Sequence, residues 1–228
     1  MSQKNINTYN EKSLHAALKK MYLKKGYESE VKVNGYIVDI LTDEDLIIEI
    51  QTGSFSKIKK KLSVLLQKYK IKLVYPLAYE KHLIIYDKLG QDILYKRKSP
   101  KKQTIDNIVN ELIRIKPILS HKNFYFDVVF TIENEIRKND GKGSWRRKGI
   151  SIVDRKLIDV FKIQSFTRKN DYRCLIPDNC AKQFTNKQLA KTADISIRKA
   201  QKITYCLAEL GLIKKINAKG REYVYEKW

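Results

Sequence analysis

Apolar positions along this chain switch between a spacing of three to four residues and strict alternation, and each switch marks a change of element. Leu14, Ala17, Leu18, Met21 and Tyr22 recur at helical spacing, which predicts a helix from Glu11 to Lys25 ended by Gly26. Two strand-like runs, Gly35 to Leu41 and Leu46 to Gln51, follow around the polar triplet Asp43-Glu44-Asp45. Ser54 to Tyr69 reads as a helix with Ile58, Leu62, Leu65 and Leu66 inward, and Lys72–Pro76 and His82–Tyr86 read as strands. A helix over 104–119 and a strand from Phe124 to Ile132 come next. This order suits a mixed α/β sheet flanked by helices.

The C-terminal third carries a sharper pattern. Val153, Leu157, Ile158 and Phe161 at helical spacing predict an amphipathic helix over Ser151–Phe166. Thr185-Asn-Lys-Gln188 is a capping box that opens a short helix. Ser196 caps a longer one that ends at Gly211, with Ala200, Ile203, Leu207 and Leu210 as its core stripe. Leu212–Ile216 and Arg221–Tyr225 then form a hairpin. Helix, turn, helix and two-stranded wing is the order of the winged helix-turn-helix, and Leu207–Ile213 resembles its bacterial members. The expected organisation is a catalytic domain over 1–135, a basic glycine-rich connector over 136–150 and a winged helix over 151–228.

Charge narrows the partner. The chain has 47 basic and 25 acidic side chains, a formal +22. The excess is uneven, with 24 basic against 16 acidic groups up to residue 135 and 23 against 9 beyond it. Such a field fits a nucleic acid, and no basic amphipathic anchor or lipidation motif suggests a membrane. The expected DNA contacts are Arg146, Arg147 and Lys148 in the Asn139–Gly149 loop, Arg198, Lys199, Gln201, Lys202 and Tyr205 on the second helix of the pair, and Lys219 and Arg221 in the wing. Cys174, Cys180 and Cys206 are too few and too irregular for a disulfide framework or zinc ribbon, which points to a reducing cytoplasm. His15, His82 and His121 show no metal-ligand spacing.

The candidate chemistry lies in the first hairpin. If Asp43-Glu44-Asp45 is a three-residue loop, Leu41 faces Ile47 and Asp39 falls opposite Glu49. Two carboxylates about 5 Å apart repel unless a cation joins them, and a hard divalent ion suits oxygen ligands. Asp39, then Glu49, Ile50 and Gln51 after a short hairpin, resembles the motif of the PD-(D/E)XK, or restriction-endonuclease-like, nucleases, most closely archaeal Holliday-junction resolvases and transposase-type endonuclease subunits. Glu11 matches the acid that this superfamily carries on a preceding helix. Gln51 stands where Lys is commonest, and in some members that Lys comes from the following helix, which here offers Lys57, Lys59, Lys60 and Lys61.

The resemblance implies a Mg²⁺- or Mn²⁺-dependent DNA endonuclease in which Asp39, Glu49, the Ile50 carbonyl and Glu11 hold metal and Gln51 or a helix lysine orients water. It also implies a cytoplasmic, nucleoid-associated protein acting as a homodimer or with a partner subunit of a DNA-processing complex. The alternative is a non-catalytic DNA-binding regulator or recruitment subunit with a decayed nuclease fold.

Overall fold

The computed structural model describes residues 13–219 and 222–227. Helix α1 (Ser13–Tyr22) precedes strands β1 (Glu28–Val33), β2 (Tyr36–Leu41) and β3 (Leu46–Ile50). Asn34 and Gly35 both hold positive φ between β1 and β2, the tight turn that an Asn-Gly pair accommodates at least cost. A short 3-10 turn (Phe55–Lys57) and α2 (Lys59–Leu65) lead to β4 (Lys70–Tyr86), β5 (Ile93–Lys98) and α3 (Val109–Leu112), which is flanked by 3-10 turns. Then come β6 (Phe124–Lys138), β7 (Ser151–Phe166), β8 (Gln183–Thr185), α4 (Asn186–Thr192), α5 (Ile197–Glu209), β9 (Ile213–Lys219) and β10 (Glu222–Lys227).

Seven strands form one mixed sheet in the order β1-β2-β3-β4-β6-β7, with β5 also on β4. The expected strands 72–76 and 82–86 are one continuous 17-residue β4. Its one edge follows β6 throughout, while its other edge is taken by β3 up to Val74 and by β5 from His82 onward. Pro76, which has no N–H to donate, falls in the gap between them.

The helix expected over Ser151–Phe166 is instead the 16-residue strand β7, antiparallel to β6. The register skips Val153, Ile158 and Phe161, each an extra residue opposite a break in the β6 pairing. Three bulges reset the alternation and give the apolar residues a three-to-four spacing that imitates a helix. The skipped side chains are all exposed, at 53%, 57% and 52%. Residues 151–166 therefore belong to the large sheet, and 139–150 is a loop joining two of its strands.

One face of the sheet packs on α2, α3 and the C-terminal helices in a single apolar core. It runs from Leu62, Leu73 and Phe126 through Phe166 and Tyr172 to Phe184, Leu189, Ile203 and Leu207. Leu14 and Leu18 of α1 cover the other face over Ile40, Ile48, Ile50, Val74 and Val129. The C-terminal segment is a three-stranded sheet, β8-β10-β9, with α4 and α5 against it. The capping box at Thr185 and the Ser196 cap form as expected. Among the described residues no helix is long and apolar enough to cross a membrane.

Candidate active site

The β2–β3 hairpin has the expected register. Thr42 N donates to Leu46 O, Leu41 pairs with Ile47 and Ile40 with Ile48, so Asp39 and Glu49 are the next facing positions. Asp45 takes positive φ to close the loop, and the Thr42 hydroxyl accepts from Glu44 N and Leu46 N. The strand ladder stops at Ile40–Ile48, and the acids take over its hydrogen bonds. Ile50 N donates to Asp39 Oδ2 at 2.7 Å and Asp39 N donates to Glu49 Oε1 at 3.3 Å. Each carboxylate is thus held by the backbone of the opposite strand.

Two nitrogen groups from two helices, an ammonium and an imidazole, reach the pair. Lys61 of α2 places Nζ 2.6 Å from Glu49 Oε1 and also donates to Ile37 O. His15 of α1 lies with Nε2 3.4 Å from Asp39 Oδ2. Asp154 of β7 accepts from Ser13 N and its hydroxyl, fixing the start of α1 and so the height of His15 over the hairpin. The two acids are driven apart electrically. Burial opposes ionisation of Asp39, but hydrogen bonds from His15 and Ile50 N–H, with the charges of His15 and Lys61, prevail and lower its pKa. Burial dominates at Glu49, and despite Lys61 its pKa is pushed up to about 7, with Asp39 adding to the rise.

Two interlocked carboxylates, one held ionised and one pushed up by burial, are a hard oxygen donor set. It fits a divalent cation, with Asp39, Glu49 and the Ile50 carbonyl as the groups that would hold it. Among the described residues no cluster of three or more His, Cys, Asp or Glu side chains could hold a metal, so a site on Asp39 and Glu49 would need further ligands. Glu11, expected as a further ligand, lies outside the described residues.

Gln51 does not join the acids. Its Nε2 donates to Ser54 O at 2.8 Å and braces the turn after β3, where Arg155 of β7 also donates to Thr52 O at 2.9 Å. Of the four helix lysines, Lys61 is the one drawn in, while Lys57, Lys59 and Lys60 are exposed. His15 was absent from the expected site. Its signal was its place one helical turn beyond Glu11.

The expected DNA contacts divide. Arg146, Arg147 and Lys148 sit in the β6–β7 loop, Arg146 beside the ring of Trp145, which is 82% exposed. Gly143 is required there, since a Cβ would meet Ile150 O at 1.9 Å. On α5, Arg198 and Gln201 are exposed, and with Ile113, Lys202 and Tyr205 they line an open groove of about 510 Å³. Lys199 and Lys202 are engaged by their own chain. Lys199 Nζ bonds Asp106 and Asn107, Lys202 Nζ bonds Asn110, and Lys116 lies 4.0 Å over the Tyr205 ring. Lys219 ends β9, and Arg221 lies outside the described residues.

A family described as "Domain of unknown function (DUF8091)" matches residues 12–167, a span that holds α1 and every strand of the large sheet. An uncharacterized protein of Treponema pallidum (strain Nichols) is 30% identical over 223 residues, covering 97% of this chain and 87% of the relative. No solved structure matches.

Proposed function

From the premise that the chain belongs to the DUF8091 family, we propose that it is a metal-dependent DNA endonuclease with a restriction-endonuclease-like sheet and a C-terminal winged helix that holds duplex. The observation that carries this reading is the interlock of Asp39 and Glu49 across a hairpin, with Lys61 of the following helix on Glu49. Acid, hairpin, acid and a lysine displaced to the next helix is the variant that the Asp39…Glu49-Ile50-Gln51 motif suggests.

A bound Mg²⁺ or Mn²⁺ would polarise the phosphoryl oxygen and lower the pKa of its water. Asp39, Glu49 and the Ile50 carbonyl would hold it. Lys61, whose ammonium lies 2.6 Å from Glu49 Oε1, would orient a nucleophile or meet negative charge developing on the phosphate. His15 keeps Asp39 ionised and aligned. Gln51 and Arg155 fix the turn that carries the Ile50 carbonyl. Arg146, Arg147 and Lys148, with Arg198 and Gln201, would contact the duplex. Cutting both strands calls for two sites, hence a homodimer or a partner subunit.

The test is nicking of supercoiled plasmid by the full chain. Activity is expected with Mg²⁺ or Mn²⁺ and absent in EDTA, and Asp39→Asn and Glu49→Gln should each abolish it with DNA affinity retained. Cleavage that persists in EDTA or in both variants overturns the proposal. Gln51 favours a second reading, a DNA-binding subunit without chemistry, because its amide is committed to Ser54 rather than to the acids. Duplex binding with no metal-dependent cleavage of linear, flapped or branched DNA would support that one.

A further inference from the structure

Farther along β6, and joined to the hairpin site through Arg155, a second group of charges is built around two buried acids that the proposed chemistry does not use. Glu133 and Glu135 of β6 are 0% and 3% exposed. Lys81 of β4 reaches both, at 3.3 Å from Glu133 Oε1 and 2.7 Å from Glu135 Oε2. Arg137 holds the other oxygen of Glu135 through Nε and Nη2 at 2.7 and 2.5 Å, and Arg155 lies 3.9 Å from Glu133. Three cations face two acids. Burial opposes the ionisation of Glu135, but hydrogen bonds and charge from Lys81 and Arg137 hold its pKa low. Anchored from behind, Lys81 and Arg137 are fixed at their head groups, while Arg keeps donors beyond the two used here.

The basic connector after β5 closes over them. Ser99 N donates to Lys81 O, Gln103 N donates to Ala78 O and Ala78 N donates to Gln103 Oε1, so the connector is tied at both ends to the stretch of β4 whose edge away from β6 has no strand neighbour. Lys102 Nζ lies over the Tyr79 ring. Between connector and sheet is a cavity of about 470 Å³ lined by Lys81, Arg137, Lys101, Lys102, Gln103 and Asn107 among others. No acidic side chain is among its lining residues.

We propose that this cavity binds a phosphoryl group carried by a nucleotide-sized ligand. Four cationic side chains converge from two walls, the amides of Gln103 and Asn107 supply neutral polar contacts, and the volume falls in the range of pockets that bury a small ligand. Fixed guanidinium and ammonium groups suit phosphate, which Arg can bind through paired N–H donors. The source is either a free nucleotide or the backbone of a passing strand. The inference does not rest on the carboxylate hairpin, and EDTA throughout keeps the two separable.

The experiment titrates 5′-AMP, and separately a single-stranded 12-mer without terminal phosphate, into the full chain. Lys101→Glu/Lys102→Glu, which alters only exposed side chains, is compared with Arg137→Gln and with Lys68→Glu/Lys70→Glu, an equal charge change elsewhere. Saturable AMP binding weakened at least tenfold by the first two variants and unchanged by the third supports a nucleotide site. The same pattern with the 12-mer alone supports a phosphodiester site. Binding of neither ligand, or equal weakening by pocket and control variants, overturns the proposal.

Discussion

Replacing Glu49 by Gln should stabilise the metal-free protein at alkaline pH while removing its proposed activity. In the folded chain the Glu49 carboxyl titrates at about 7, against 4.5 for the free side chain. Between those values the folded state holds a proton that the unfolded state has released. Stability therefore falls as pH rises through that window, and the loss is complete above it. At about 1.4 kcal/mol for each pH unit, the shift corresponds to a deficit on the order of 3 kcal/mol. Gln cannot ionise and removes the deficit, in which the attraction of Lys61 is already counted, and the poorer fit of an amide to the donors on Glu49 leaves an expected net gain of about 1–3 kcal/mol. Asp39 works in the opposite sense. Its lowered pKa contributes stability that is lost as pH falls below the usual carboxylate range, outside the Glu49 window.

The assay is thermal unfolding of wild type and Glu49→Gln in EDTA at pH 5 and pH 8. For a chain of this size, each kcal/mol moves Tm by about 2–4 °C. The two proteins should melt together at pH 5, and the variant should melt higher at pH 8. Adding Mg²⁺ at pH 8 should raise the wild type and leave the variant unmoved, since a ligand that binds only the folded state stabilises it. A variant less stable than wild type by the same amount at both pH values would refute the burial argument for Glu49.

Lys61→Ala should lower plasmid nicking by about two orders of magnitude, the usual scale for one electrostatic group, whereas Gln51→Ala should cost far less, and equal losses would return Gln51 to the centre of the site. Lys199→Ala and Lys202→Ala should each lower stability by about 1 kcal/mol without reducing the salt slope of DNA binding; a slope change of about one per lysine would mean that they leave Asp106, Asn107 and Asn110 for phosphate. Ile158→Asp should be tolerated and Leu157→Asp should not, because β7 exposes the first and turns the second toward α1. Circular dichroism and melting of the two variants check this, and equal intolerance of both substitutions would restore the helix, which buries both residues.

The hairpin was legible because its information is local. A three-residue loop dictates register, and register alone sets Asp39 opposite Glu49 whatever else the chain does. The two capped helices α4 and α5 were legible for the same reason, since capping boxes and helical stripes are contacts between near neighbours in sequence. Strand β7 was not. Its identity depends on β6, and bulges at Val153, Ile158 and Phe161 exist only as mismatches between two strands, so one strand read alone shows a helical period. The β-branched residues Ile152, Val153, Ile158, Val160 and Ile163 were the available counter-signal. Tertiary structure also chose Lys61 from four lysines, because only the packing of α2 decides which ammonium reaches Glu49. It brought His15 onto Asp39 through the cap that Asp154, 141 residues away, supplies to Ser13. Periodicity and turn chemistry act over a few residues and can be read in order, whereas the charge neighbours of a buried acid are set by contacts between distant segments, which folding alone creates.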